Sequence, residues 1–171
     1  MADSAYYITN VTIERGCRFI GNHFSSKLTN VTIPDSVTSI GWYAFGNCSK
    51  LTSITFPDSV TSIGEKAFEG CSSLKNMVIG CNLTHIGMWA FKDCDNLEYT
   101  IKGGLKYLGN SKNPYLYLVN VESASISIAT IESGCRVIAS YVFNECSSMT
   151  SVDIPNSVII LAIGLLLFVV V

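Results

Sequence analysis

A 23-residue period runs through this chain, and no other feature limits its folds so strongly. The stretches IPDSVTSIGWYAFGNCSKL from Ile33, FPDSVTSIGEKAFEGCSSL from Phe56 and IGCNLTHIGMWAFKDCDNL from Ile79 align without gaps. Leu28, Leu51, Leu74 and Leu97 hold one repeat position, and Ile40, Ile63 and Ile86 a second. Phe45, Phe68 and Phe91 hold a third, and Cys48, Cys71 and Cys94 a fourth. A unit this short cannot bury an apolar face alone, so such units stack as coils of a solenoid, each covering its neighbours.

The unit from Leu51 to Ser73 shows how one repeat becomes one coil. Ser53-Ile54-Thr55-Phe56 alternates polar and apolar, which predicts a short strand with Ile54 and Phe56 inward and Ser53 and Thr55 outward. Pro57 has no N–H for a ladder, and Asp58-Ser59 supplies turn chemistry, so the strand stops there. Val60 to Ile63 predicts a second extended piece with Val60 and Ile63 inward. After the bend at Gly64, Glu65 to Glu69 predicts a single helical turn with Phe68 as the large core plug. Gly21, Gly41, Gly64 and Gly87 share that corner, while Ala139 and Ala162 fill it elsewhere. Alanine tolerates a left-handed backbone poorly, so close packing is the better reason for glycine there.

Cys48, Cys71, Cys94 and Cys146 share one repeat position, which stacks them at about 4.8 Å between adjacent coils. In-register side chains keep their Cβ atoms near that separation, longer than the roughly 3.8 Å a disulfide prefers. The expectation is a column of buried thiols that donate weakly to loop carbonyls.

The period breaks in three places. The unit IERGCRFIG from Ile13 lacks three residues before Leu28 and predicts an N-terminal cap. After Leu97 the leucine position returns only at Ile126, 29 residues on. Between them, Gly103-Gly104 predicts a hairpin turn, Asn110 to Pro114 a second turn, and Tyr115 to Val119 a strand, together a small β-meander. The repeat resumes with IESGCRVIASYVFNECSSM from Ile131. From Val158 the chain runs VIILAIGLLLFVVV to Val171. As a helix this segment spans about 21 Å, short of a hydrocarbon core of about 30 Å. A last repeat covering the final coil is therefore favoured over membrane association through Val158–Val171.

A net charge of −2 with only 14% charged residues gives no basic footprint for nucleic acid, which is excluded as a partner. The N-terminus shows no basic n-region followed by an apolar h-region, so no secretory signal is read there. No CxxC pair or Cys/His cluster suggests zinc, no other cofactor is implied, and no GxSxG, HExxH or phosphate loop appears. Asp35 and Asp58 are turn residues, and His85 stands where Ser39 and Ser62 point outward. The chain does not read as an enzyme. The NxS/T triplets at Asn10, Asn30, Asn47 and Asn82 are chance in so polar a chain.

The pattern LTSITFPDSVTSIGEKAFEGCSS closely resembles the BspA-like leucine-rich repeat of surface antigens, over about residues 8–101 and 126–162. The TIKGGLKYLGNSKNPYLYLV insert resembles a spacer met among such proteins. The resemblance implies a leucine-rich-repeat solenoid, right-handed and curved, with a parallel sheet on the concave side and short helical or 3-10 turns on the convex side. The expected divisions are N-terminal repeats at 1–101, a β-rich insert at 102–125, C-terminal repeats at 126–162 and an apolar tail at 163–171. It also implies a non-catalytic adhesion or recognition role at the cell surface toward host, matrix-protein or glycan ligands. With no signal read at the N-terminus, the cytoplasm is the alternative location, and a spacer or decayed repeat fragment without a ligand is the alternative role. The candidate binding face is the outer row of the strands: Asn30, Thr32, Ser53, Thr55, Asn76, Val78, Ser151 and Asp153. Tyr43, Lys66, Trp89 and Tyr141 form a second column at the turn, whose aromatic members are candidate anchors.

Overall fold

The computed structural model describes residues 8–23 and 27–161. Among these, no helix is long and apolar enough to cross a membrane. Val158 packs half-buried against the core, but the rest of the apolar tail from residue 162 lies outside the described residues, and with it the expectation for Ala162.

Each coil contributes two short strands. The first set is β1 (Asn10–Thr12), β3 (Asn30–Thr32), β5 (Ser53–Thr55), β7 (Asn76–Val78), β12 (Ile128–Thr130) and β14 (Ser151–Asp153). The second set is β2 (Phe19–Ile20), β4 (Ser39–Ile40), β6 (Ser62–Ile63), β8 (His85–Ile86), β13 (Val137–Ile138) and β15 (Ile160–Leu161). The insert adds β9 (Thr100–Lys102), β10 (Leu105–Leu108) and β11 (Tyr117–Val121). Strands β2, β4, β6 and β8 form one parallel sheet in which Ile40, Ile63 and Ile86 stand in register. The first strands do not make one continuous sheet. They form three separate parallel pairs, β1–β3, β5–β7 and β12–β14.

Alternation places the side chains as the pattern requires. Ile54 and Phe56 are buried while Ser53 and Thr55 face solvent, and Leu51, Val60, Ile63, Ala67 and Phe68 are fully enclosed. Phe45, Phe68 and Phe91 stack ring on ring at 5.1 and 5.8 Å, with Phe56 edge-on to Phe68 at 5.5 Å. This file of rings is the spine of the N-terminal coils.

The helical turn expected at Glu65–Glu69 does not form. Lys66 adopts a left-handed backbone (φ 56°), as do Tyr43, Trp89 and Tyr141 at the same repeat position (φ 52°, 56° and 61°), and a left-handed residue interrupts a right-handed helix. What replaces helical bonds is a ladder between coils. Lys66 N–H donates to Met88 O at 3.0 Å, Phe68 N–H to Ala90 O at 2.8 Å and Gly70 N–H to Lys92 O at 2.9 Å. One coil earlier, Tyr43, Phe45 and Asn47 donate to Glu65, Ala67 and Glu69. Six backbone groups per turn gain partners this way, which offsets the roughly 1–2 kcal/mol cost of a left-handed non-glycine residue.

The corner glycines are there for space. Gly41 and Gly64 do not have positive φ. A Cβ on Gly64 would stand 2.7 Å from the Gly41 carbonyl carbon, and one on Gly41 would stand 2.9 Å from Ile20 O. Ala139 occupies the same corner after the insert, where its N–H meets Leu118 O of β11 as the corner glycines meet Ile20, Ile40 and Ile63.

Cys48, Cys71 and Cys94 form the expected column, while Cys146, in the coil after the insert, is buried but donates to no carbonyl among the described residues. Cys71 Sγ donates to Phe45 O and Cys94 Sγ to Phe68 O, both at 3.1 Å. The flanking Cys48 and Cys94 sulfurs, together with burial, push the Cys71 thiol far above its ordinary pKa, and burial pushes Cys135 up to about 11. A suppressed thiolate is unreactive. Cys71 and Cys94 are both buried and bonded to carbonyls of the preceding coil, so they are expected to label with iodoacetamide only as fast as the chain unfolds. Rapid alkylation of the folded protein, followed by mass mapping to these two positions, is the result that contradicts the column.

The insert is a β-meander whose last strand rejoins the solenoid. Gly103 and Gly104 both have positive φ (58° and 77°), the two-residue hairpin turn that suits the twist of β9 and β10. Asn110 Oδ1 then accepts the N–H groups of Lys112 and Asn113. Tyr115 N–H is taken by Asn113 Oδ1 at 2.9 Å, so the strand expected from Tyr115 begins instead at Tyr117. Strand β11 pairs antiparallel with β10 and parallel with β13. Two buried hydroxyls tie it in: Tyr117 OH donates to Gly80 O at 2.6 Å and Tyr107 OH accepts Glu132 N–H at 3.1 Å. Burial raises both phenols to about 12.

Candidate functional site

Two surfaces follow from this architecture. The first is the outer row of the first strands. Asn30, Thr32, Ser53, Thr55, Asn76, Ser151 and Asp153 all face solvent. Register aligns Asn10 with Asn30, Thr12 with Thr32, Ser53 with Asn76, Thr55 with Val78 and Thr130 with Asp153. The row is not uniformly polar: Val78 and Ile128 are 51% and 64% exposed. Asn30 and Thr32 lie on the β1–β3 sheet, Ser53, Thr55 and Asn76 on the β5–β7 sheet, and Ser151 and Asp153 on the β12–β14 sheet beyond the meander.

The second surface lies where the insert parts the coils. Ser140 N–H donates to Ile86 O at 3.1 Å, holding the coil after the insert against the coil before it. Beyond that bond the two turns, 87–93 and 139–145, diverge around a cleft of about 370 Å³ whose floor is Tyr99 and Val119 to Ala124. That volume is within the range of about 300–1,000 Å³ common to ligand sites. Of the three candidate aromatics, Trp89 and Tyr141 stand on opposite walls of this cleft. Tyr43 lies apart, on the N-terminal coils, where its hydroxyl meets Asn47 Nδ2 and its ring packs 5.7 Å from Trp42. Trp89 is 42% exposed, with the ammonium groups of Lys66 and Lys92 at 5.2 and 5.3 Å from its ring centroid. Glu69 pairs with both lysines and holds them there.

The ladder between turns stops at this cleft. By repeat position, Trp89, Phe91 and Asp93 should donate to Ser140, Val142 and Asn144, as Lys66, Phe68 and Gly70 donate to Met88, Ala90 and Lys92. Among the described residues, those three N–H groups and three carbonyls have no protein partner. Phe91 and Val142 are only 7% and 8% exposed, and unpaired backbone groups at buried residues are rare. Sequence reasoning located the phase break but not this gap, because the gap depends on β11 pairing with β13.

Asp58 serves structure. Its carboxylate accepts Cys81 N–H at 2.8 Å and its carbonyl accepts Asn82 Nδ2 at 3.0 Å. The Cys81 hydrogen bonds hold its pKa below the ordinary carboxylate value. His85 is exposed on β8, as its outward position requires.

A family model for the BspA type leucine rich repeat region, in 6 copies, matches residues 3–113 and 119–166. No curated protein matches the chain. Among solved structures, it is similar to a leucine rich cell surface protein from Faecalibacterium prausnitzii at 26% identity and a TM-score of 0.49, covering 88% of this chain and 37% of that one. It is similar to the leucine rich repeat protein of T. pallidum at 22% identity and a TM-score of 0.50, covering 80% and 63%. It is similar to the pneumococcal vaccine antigen PcpA at 17% identity and a TM-score of 0.51, covering 90% and 52%. The chain thus spans between about a third and two thirds of the length of these proteins.

Proposed function

The chain belongs to the BspA-type leucine-rich repeat family, and from that premise we propose that it is a non-catalytic recognition module, of the kind carried by surface adhesion proteins. One observation carries the reading. Coil stacking fixes exposed polar side chains in register on β1–β3 and β5–β7, so their spacing is set by the backbone ladder and not by flexible loops. Such a rigid row can engage a matrix protein or glycan without paying for loop ordering. The turn carboxylate of Asp58 is used as an inter-coil tie, which gives it a structural role.

The test is an array of matrix proteins and glycans probed with the full chain and with a Ser53→Arg/Asn76→Arg variant. Both substitutions fall on exposed strand positions and leave the core intact. Saturable binding that the double variant weakens at least tenfold supports the outer row as the contact. No saturable binding to any class, or binding indifferent to the variant, rejects it in favour of a spacer role.

A further inference from the structure

We propose that the cleft between the 87–93 and 139–145 turns binds a short, neutral oligosaccharide through its unpaired backbone groups. The N–H donors of Trp89, Phe91 and Asp93 belong to one wall and the carbonyls of Ser140, Val142 and Asn144 to the other. An occupant must therefore give acceptors to the first wall and donors to the second. In the regular coils one turn does both, with Lys66 and Gly70 in the left-handed region, a backbone that an extended peptide does not offer. A sugar hydroxyl meets the requirement in a single group, because it donates one bond and accepts two. A pyranose ring carries hydroxyls on opposite edges, so one ring serves both walls at once. A solute that displaces water from such groups has to reproduce both kinds of bond, and a polyhydroxy ligand does so without a fixed donor and acceptor order.

Side chains around the cleft narrow the choice. Asp93, Glu122 and Glu145 line it against the single cation Lys92, and Lys92 is already drawn to Glu69 and the Trp89 ring. Carboxylates accept sugar hydroxyls and repel a uronic acid, a sulfate or a phosphate. Because Lys66 and Lys92 occupy the Trp89 ring, the aromatic face left for the C–H side of a pyranose is Tyr141, whose side chain has no partner among the described residues. On the floor, the Tyr99 hydroxyl also lacks a protein partner among the described residues. Burial pushes that phenol above its ordinary pKa, so it keeps the proton it would donate. The site lies apart from the outer row, and the two stand or fall separately.

The experiment titrates the full chain, labelled with 15N, with cellobiose, lactose, maltose and chitobiose, and with the uronic acid analogue of any that binds. In the free protein the amides of Trp89, Phe91 and Asp93 are expected to exchange at least a hundredfold faster than those of Lys66, Phe68 and Gly70. At least one disaccharide is expected to shift the first set saturably while the Ser53 and Asn76 amides of the outer row stay in place. Its uronic acid analogue is expected to bind at least tenfold more weakly. Two variants locate the contact. Ala124→Trp, at an exposed floor position, fills the cleft and is expected to abolish binding. Tyr141→Asn removes the ring but keeps a residue that tolerates the left-handed backbone, and is expected to weaken binding at least tenfold. Three outcomes overturn the proposal. The amides of Trp89, Phe91 and Asp93 are already as protected in the free chain as that of Phe68, which means another segment fills the gap. None of the four disaccharides moves these amides at tens of millimolar, which means water alone occupies the cleft. A disaccharide binds both variants as tightly as the parent, which places its site elsewhere.

Discussion

Phe68→Ala is expected to destabilise the chain by about 3–5 kcal/mol, with its urea midpoint shifted accordingly. The ring is fully buried and contacts three others: Phe45 stacked at 5.1 Å, Phe91 stacked at 5.8 Å and Phe56 edge-on at 5.5 Å. Removing it opens a cavity in the middle of the file, and the flanking rings cannot close it because the inter-coil ladders fix the coil spacing. Thr55→Ala, on the exposed side of β5, is expected to stay within about 0.5 kcal/mol of the parent. Phe143 provides an internal comparison. It is 5% exposed but stacks on no ring among the described residues, so Phe143→Ala is expected to cost less than Phe68→Ala. Equal urea midpoints for the Phe68 and Thr55 variants would contradict the inward and outward assignment of the repeat.

What the sequence made legible is what the period controls. A residue that recurs every 23 positions meets its own counterpart in the next coil, so the burial of Ile40, Ile63 and Ile86 and the thiol-to-carbonyl bonds of Cys71 and Cys94 follow from spacing alone. The left-handed turn was less accessible. Lys66, Tyr43 and Trp89 carry no local preference for that backbone, and the inter-coil ladder imposes it. A signal did exist four residues later, where Asn47, Gly70 and Asp93 share a position and all have positive φ (58°, 74° and 56°). Those residue types visit the left-handed region most readily, and their recurrence marks a turn that no helix can cross. The cleft was hidden for a different reason. Trp89 and Tyr141 are 52 residues apart and share a repeat position, which suggests adjacent rungs of one column. They face each other across a gap because β11 pairs with β13, and a strand's choice of partner is a tertiary decision that a single sequence does not show.

The corner glycines separate two physical explanations of one repeat position, and Gly64→Ala set against Gly21→Ala decides between them. If glycine were required for backbone conformation, both substitutions would destabilise alike. Neither residue has positive φ, so alanine is conformationally acceptable at both. The difference lies in what the new methyl meets. At Gly64 it would stand 2.7 Å from the Gly41 carbonyl carbon and 2.8 Å from both Gly41 O and Trp42 N. These are backbone atoms of the preceding coil and cannot rotate away as a side-chain tip would. Relief requires the two coils to separate, which stretches the bonds from Gly64 N–H to Ile40 O at 2.9 Å and from Thr61 N–H to Thr38 O at 2.8 Å. Overpacking of about 1–3 kcal/mol and two weakened hydrogen bonds of about 1 kcal/mol each together predict a loss of about 3–5 kcal/mol. At Gly21, in the first coil, the nearest atom to the added methyl is Phe19 Cε1 at 3.9 Å, an ordinary contact. There the reduced freedom of the unfolded chain is expected to leave stability unchanged or raise it by about 0.4–1 kcal/mol. Urea unfolding of the two variants measures the contrast, and a comparable loss in both would show that packing between coils is not what keeps glycine at this corner.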